Sequence, residues 1–168
     1  ALTRDGPAVI RFPKGGARQV DGADVGSGLK AKRWRSGESR EVAIIGVGKM
    51  LAAALDAAKV LGDEGVDVTV WDPRVVKPLD PVMLADAAGH RLVVTVEDGF
   101  RTGGVGSSIA AALADLSGGD PGPNVVTLGV PDEYIPQAKP DVILARFGLD
   151  AVGVAAAVRA ALSTPSLA

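Results

Sequence analysis

Three groups of residues in this sequence are of types, and at spacings, that could do chemistry. The first is Gly46-Val47-Gly48-Lys49-Met50-Leu51, which follows an apolar run and opens a helical pattern. Free N–H groups at a helix start favour a phosphate, and an acid closing the next strand, here Asp72, can take a ribose hydroxyl. A dinucleotide fingerprint, however, needs Gly or Ala at its last position, where helix and strand approach closely, and Leu51 stands there. Residues 46–48 therefore read as a tight strand-to-helix turn that needs glycine backbone angles.

The second group is residues 97–108, EDGFRTGGVGSS. Two carboxylates leave a strand, a glycine-rich loop follows, and a helix begins. That helix start suits an anion, with Arg101 adding positive charge. The alternative is that the glycines let the loop press against a neighbouring backbone while Ser107 or Ser108 caps the helix. Glu97 and Asp98 are adjacent on an extended chain and project differently, so they do not make an acid/base pair. The third group is Arg11 within the apolar run 8–12. A guanidinium there must be paired or face a cleft, and its planar fork suits a phosphate or carboxylate. A structural ion pair is the alternative. Lys14, in the following turn, is expected to be solvated. His90 follows Gly89 and is expected to be exposed in a helix C-terminal turn, favoured by the helix dipole.

Composition narrows what these groups can do. The 168 residues are 47% hydrophobic and 23% charged, which suffices for a real core. Aromatics are only 4%, so that core is expected to be aliphatic, as in parallel sheets covered by helices. A net charge of -2 gives no basic field for nucleic acid or for an anionic membrane. With no cysteine and a single histidine, thiolate chemistry and a histidine-rich metal site are excluded within this chain. No apolar run approaches the roughly 20 residues needed to span a bilayer.

The elements that must position these groups alternate between strand and helix. Residues 8–12 read as a short strand stopped by Pro13, with nothing before it to pair or cover it. That suggests the last strand of a domain lying upstream, and the opening Ala1 agrees with a fragment. Residues 15–28 read as a linker, and an edge strand is expected around Trp34. Strands are expected at 42–46, 66–72, 92–96 and 125–128. Helices are expected from Leu51 to an end at Gly62 or Gly65, over 81–88 with Asp80 as N-cap and Pro81 at the first position, over 105–116, and from the cap Asp150 to about Leu162. The tail 163–168 is expected to fray. Such alternation implies right-handed βαβ units in a three-layer α/β fold with a mainly parallel sheet.

Taken in order, the segments AVIRFPKG (8–15), VAIIGVG (42–48), WDPRVVKPLD (71–80), VTVEDGFRTGGVGS (94–107), GVPDEYIPQ (129–137) and FGLDAVG (147–153) carry a family likeness. Together they resemble the C-terminal portion of the 1-deoxy-D-xylulose-5-phosphate synthases, thiamine-diphosphate enzymes related to transketolase. The resemblance implies that residues 1–14 end an upstream pyrimidine-binding domain. Residues 15–40 would be a linker and edge segment, and 41–168 a transketolase-type C-terminal domain. It implies a reaction joining pyruvate to glyceraldehyde 3-phosphate with release of CO2, in a cytoplasmic homodimer. Thiamine diphosphate and Mg2+ would be bound by upstream domains. Catalytic, cofactor-binding and metal-binding residues are then expected to lie outside this chain, while Arg11 falls where the family holds the acceptor's phosphate. Glu97 lies in the wrong domain to be the family's cofactor-activating glutamate. Val105 and Tyr134 are small departures from the family pattern. The chain alone is expected to fold and to be inactive, giving scaffold and dimer contacts. Neither nucleic acid nor a membrane is an expected partner. Two alternatives stand beside this reading: the C-terminal region of another transketolase-like enzyme, or a non-catalytic nucleotide-binding or interaction module built on the 46–48 turn.

Overall fold

A computed structural model describes residues 3, 5–10, 19–119 and 121–164. Among the described residues, five strands and five α-helices follow a 3-10 turn at Gly22–Asp24, alternating from β2 to β5. In chain order they are β1 (Lys32–Arg35), β2 (Val42–Gly46), α1 (Leu51–Asp63), β3 (Val68–Asp72), α2 (Pro81–Ala88), β4 (Leu92–Phe100), α3 (Val105–Ser117), β5 (Asn124–Val130), α4 (Pro140–Arg146) and α5 (Ala151–Ser163). The strands form one sheet in the order β1-β3-β2-β4-β5. β3, β2, β4 and β5 run parallel, and β1 joins β3 antiparallel at the edge.

Why the central strands form follows from their apolar runs. Val42, Ala43, Ile44 and Ile45 are fully buried, as strands covered on both faces must be. Alternate residues point to opposite layers. Val42, Ile44, Val68, Val70, Leu92, Val94 and Val96 meet α1 and α5 through Ala54, Ala57, Ala58, Val154 and Val158. Ala43, Ile45, Trp71 and Val93 meet α2 and α3 through Met83, Ala87, Ile109 and Leu113. The expected three-layer α/β architecture is therefore what the chain adopts. Truncating a central side chain such as Ile44 to Ala would remove about 2–5 kcal/mol.

The two anticipated caps are present. The Asp80 side chain accepts the Val82 N–H at 2.8 Å, with Pro81 opening α2. Asp150 accepts the Gly153 N–H at 2.8 Å at the start of α5. Elsewhere the structure departs from expectation. β3 begins at Val68 rather than Val66, β5 is longer than expected, and β4 continues through Glu97 to Phe100. The last of these follows from pairing: Phe100 still partners Val130 across a register shift after Val96. α4 was not anticipated at all. Residues 8–10, expected to be a strand, have no regular structure, and Val9 and Ile10 are exposed, with no strand pairing them among the described residues. Arg11, Phe12, Lys14 and the tail 165–168 lie outside the described residues.

Candidate functional site at the carboxyl ends of the strands

From β2 the chain crosses to β3 on one side, and from β3 it returns to β4 on the other. The crevice between the carboxyl ends of β2 and β4 is thus the topological switch point, where open α/β sheets place their ligands. Both glycine-rich segments singled out above meet there.

The first segment turns tightly. Gly48 has φ +60, and a Cβ on Gly46 would sit 2.7 Å from the Leu51 Cα, so the glycines serve the turn and the close approach of α1. A 3-10 turn at Gly48–Met50 leads into α1. Asp72 is drawn into the turn after β3, where its carboxylate accepts the Arg74 N–H at 2.8 Å. Burial raises its pKa above the ordinary value of 3.8, opposed by that hydrogen bond and by the nearby Arg74 and Lys32 charges. An acid so engaged is not free to hold a ribose.

The second segment holds the group that decides the site's chemistry. Glu97 is 5% exposed, and its two oxygens accept the Val105 N–H at 3.1 Å and the Gly106 N–H at 2.8 Å. The α3 N-terminus therefore already carries an anion, supplied by β4. This corrects the expectation of an open anion site, and equally that of a serine cap. Ser107 Oγ instead donates to the Arg101 carbonyl at 2.8 Å, and Ser108 Oγ to the Gly104 carbonyl at 3.3 Å. The loop's glycines let it close on the carboxylate: a Cβ on Gly104 would lie 2.5 Å from Glu97 Oε1. Asp98 diverges from Glu97, as expected of neighbours on a strand, and pairs with Lys49 at 2.8 Å across the switch point. Arg101 is exposed, and its backbone N–H extends the β4–β5 pairing to the Val130 carbonyl at 2.9 Å. Every charged group in this crevice that the sequence offered as a ligand is thus engaged with the protein itself, Arg101 excepted.

Apolar surface surrounds the crevice. Leu29, Val82, Phe100, Tyr134 and Val152 are all more than half exposed at this end of the molecule. A groove of about 600 Å3 opens among Leu29, Ala31, Trp71, Pro78, Leu79 and Val82. At the opposite end, a cavity of about 640 Å3 lies between Gly89, His90, Pro121–Asn124 and the last turn of α5. His90 corrects another expectation: it is 4% exposed, and its Nδ1 donates to the Asp86 carbonyl at 2.9 Å. It is held against α2 and does not project from it. Among the described residues, no group of three or more His, Asp and Glu side chains is placed to hold a metal ion.

The arrangement has known relatives. A family model described as "Transketolase, C-terminal domain" matches residues 30–161. The chain belongs to that family. This transketolase C-terminal domain is 42% identical over 159 residues to 1-deoxy-D-xylulose-5-phosphate synthase 1 of Kitasatospora griseola, a match covering 90% of this chain and 23% of that protein. It is 41% identical over 164 residues to the synthase of Anaeromyxobacter dehalogenans, covering 95% of this chain and 26% of that protein. The chain thus spans about a quarter of the length of these relatives. Among solved structures, a split-gene transketolase described as an inactive β4 tetramer is 35% identical with a TM-score of 0.76, covering 88% of this chain and 47% of that one. Transketolase of Campylobacter jejuni, 12% identical with a TM-score of 0.58 over 79% of this chain and 18% of that one, shares the fold. No helix among the described residues is long and apolar enough to cross a membrane.

Proposed function

We propose that this transketolase C-terminal domain belongs to a cytoplasmic, homodimeric thiamine-diphosphate enzyme that condenses pyruvate with glyceraldehyde 3-phosphate to 1-deoxy-D-xylulose 5-phosphate and CO2. The observation that carries this reading is the run of synthase relatives spanning nearly the whole chain. The described residues do not themselves fit the cofactor. A Mg2+-bound diphosphate needs carboxylate and carbonyl ligands. Here no such donor set is gathered, and the α3 N-terminus already carries Glu97. On this reading the cofactor and its metal are held by domains upstream of residue 15, of which residues 1–14 are the last piece.

The role of this chain is structural support and dimer contact. β1 pairs Lys32 with Asp72, so the segment leading into β1 arrives at the carboxyl ends of the strands. Upstream domains tethered there would cover the exposed Leu29, Val82, Phe100, Tyr134 and Val152. Arg11 lies on that incoming segment and takes the phosphate of the acceptor, its fork matching two phosphate oxygens.

Kinetics of the protein joined to its upstream domains test the reading. Pyruvate with glyceraldehyde 3-phosphate should be turned over, and the 168-residue chain alone should be silent. Arg11→Ala should raise KM for glyceraldehyde 3-phosphate at least about tenfold while leaving KM for pyruvate nearly unchanged, in line with loss of a charge-assisted bidentate contact. Equal effects on both substrates would remove Arg11 from the phosphate site. The likeness to a split-gene transketolase favours a second reading, transfer between sugar phosphates. Turnover of two sugar phosphates without pyruvate would select it.

A further inference from the structure

β5 ends the sheet, and its seven residues Asn124–Val130 include no charge and no proline. Its apolar side chains are only half-buried, whereas those of β2 are fully buried. Long, uncharged edge strands template pairing with another chain, and proteins normally blunt them with cations, prolines or bulges. The opposite edge is blunted in just that way. β1 is Lys32-Arg33-Trp34-Arg35, four residues long, with a register shift between Arg33 and Arg35.

The outward groups of β5 can be named. Asn124 donates its N–H to the Arg91 carbonyl, and the Val130 carbonyl accepts from Arg101. In a parallel strand the N–H and C=O of one residue face the same neighbour, and successive residues alternate. Asn124, Val126, Leu128 and Val130 therefore face β4, while Val125, Thr127 and Gly129 present both backbone groups away from the sheet.

We propose that β5 is a self-pairing edge, along which a second copy of this chain adds its own β5 antiparallel about a two-fold axis at Thr127. The choice of a second copy rests on self-complementarity. A two-fold axis requires antiparallel strands and the same patch on both sides. Centred on Thr127, it sets Thr127 opposite Thr127 and Val125 of one copy opposite Gly129 of the other, so all three outward-facing residues find hydrogen-bonding partners. An uncharged strand meets itself without repulsion. The same register brings exposed Asp132 and Glu133, just past β5, toward the end that carries Arg91. This deepens the homodimer of the preceding section and rests on it.

Sedimentation velocity and residue-resolved amide exchange on the 168-residue chain test the pairing. The expected species is twice the 17.0 kDa chain mass. The amides of Val125, Thr127 and Gly129 should slow at least about tenfold between dilute and concentrated samples, as association protects them, while those of Val126 and Leu128 stay protected at both. Thr127→Pro removes an outward N–H that β4 does not use, and should give a folded monomer by circular dichroism and sedimentation. A dimer whose Val125, Thr127 and Gly129 amides exchange freely would overturn β5 pairing while leaving self-association in place, and this exchange result decides the matter even if Thr127→Pro does not fold. A monomer at every concentration would overturn both. Neither outcome touches the synthase reading, which turns on substrates.

Discussion

β1 and β5 close one sheet at opposite ends, but they treat solvent differently. β1 is short, bulged and cationic, and its charges are spread over neighbouring groups. Lys32 pairs with Asp24 at 2.5 Å and lies 4.2 Å from the Trp34 ring centre. Arg33 sits 5.6 Å from the Trp71 ring and 3.6 Å from Asp86, and Arg35 donates to the Val68 carbonyl at 3.1 Å. β5 has no such dressing. Exposed Phe100, at the end of β4, and exposed Tyr134, in the segment after β5, stand near its carboxyl end instead. The contrast teaches that the β1 edge carries charges and a register shift that discourage further pairing, whereas β5 carries neither. Each side is also pinned by one carboxylate at a helix start: Asp80 on the β1 side and Glu97 on the β5 side.

The largest expected effect comes from unpinning the β5 side. Glu97→Ala leaves the Val105 and Gly106 N–H groups without their acceptor, and Gly106 is buried. Charge-assisted bonds of this kind are worth about 1.5–3 kcal/mol each, so a loss of about 3 kcal/mol is expected in urea unfolding, with Glu97→Gln retaining part of it. A loss below about 1 kcal/mol would mean that loop 101–104 is held by β4–β5 pairing alone.

Unpinning the β1 side should do less. Asp80 accepts the Val82 N–H with one oxygen and the Ala31 N–H, just before β1, at 2.7 Å with the other. Replacing an N-cap acid by Ala costs about 1 kcal/mol, and freeing the start of β1 adds to it, so Asp80→Ala should lower stability by about 1–2 kcal/mol. Amide exchange should quicken in β1 before β3. If β5 quickened first, the two sides would not be separately pinned.

The same contrast explains how much the sequence disclosed. Asp80 and Asp150 were legible because a cap acts two or three residues ahead, within a local pattern. Glu97 was not. It caps a helix eight and nine residues away, across a loop that only the fold brings back. The alternating runs of Val, Ile and Leu fixed the order of elements, since a strand covered on both faces must be apolar throughout. The extension of β4 to Phe100 was hidden because Glu97-Asp98-Gly99 has loop composition and is held in the ladder by Val130. α4 is short, with its apolar Val142, Ile143 and Leu144 consecutive rather than at helical spacing. His90 was misread because its ring folds back onto α2, where Nδ1 donates to the Asp86 carbonyl, and sequence position alone does not show that direction.

The smallest effect lies within β3, the strand that β1 covers, whose two ends carry acids perturbed in opposite directions. Just before it, Asp67 accepts the N–H groups of Ser39 and Glu38, which hold its pKa below the ordinary 3.8. At its end, burial holds Asp72 above 3.8. The signs then differ. A lowered folded-state value contributes stability that is present above pH 4 or so and is lost as pH falls through the folded value. A raised value contributes stability that is present below about pH 4 and is lost as pH rises through the folded value, because folding then buries a charge. Urea midpoints measured from pH 3 to pH 7 should separate them. Wild type should gain over Asp67→Asn as pH rises past the unfolded carboxylate range, and should lose ground against Asp72→Asn over the range just above it. Asp67 is less deeply enclosed than Asp72, so its gap should be the smaller of the two and should shrink in high salt. Parallel trends for the two variants would mean that the turn joining β1 to β2 does not depend on Asp67. The finishing of the β1 edge would then reside in its cations and bulge alone.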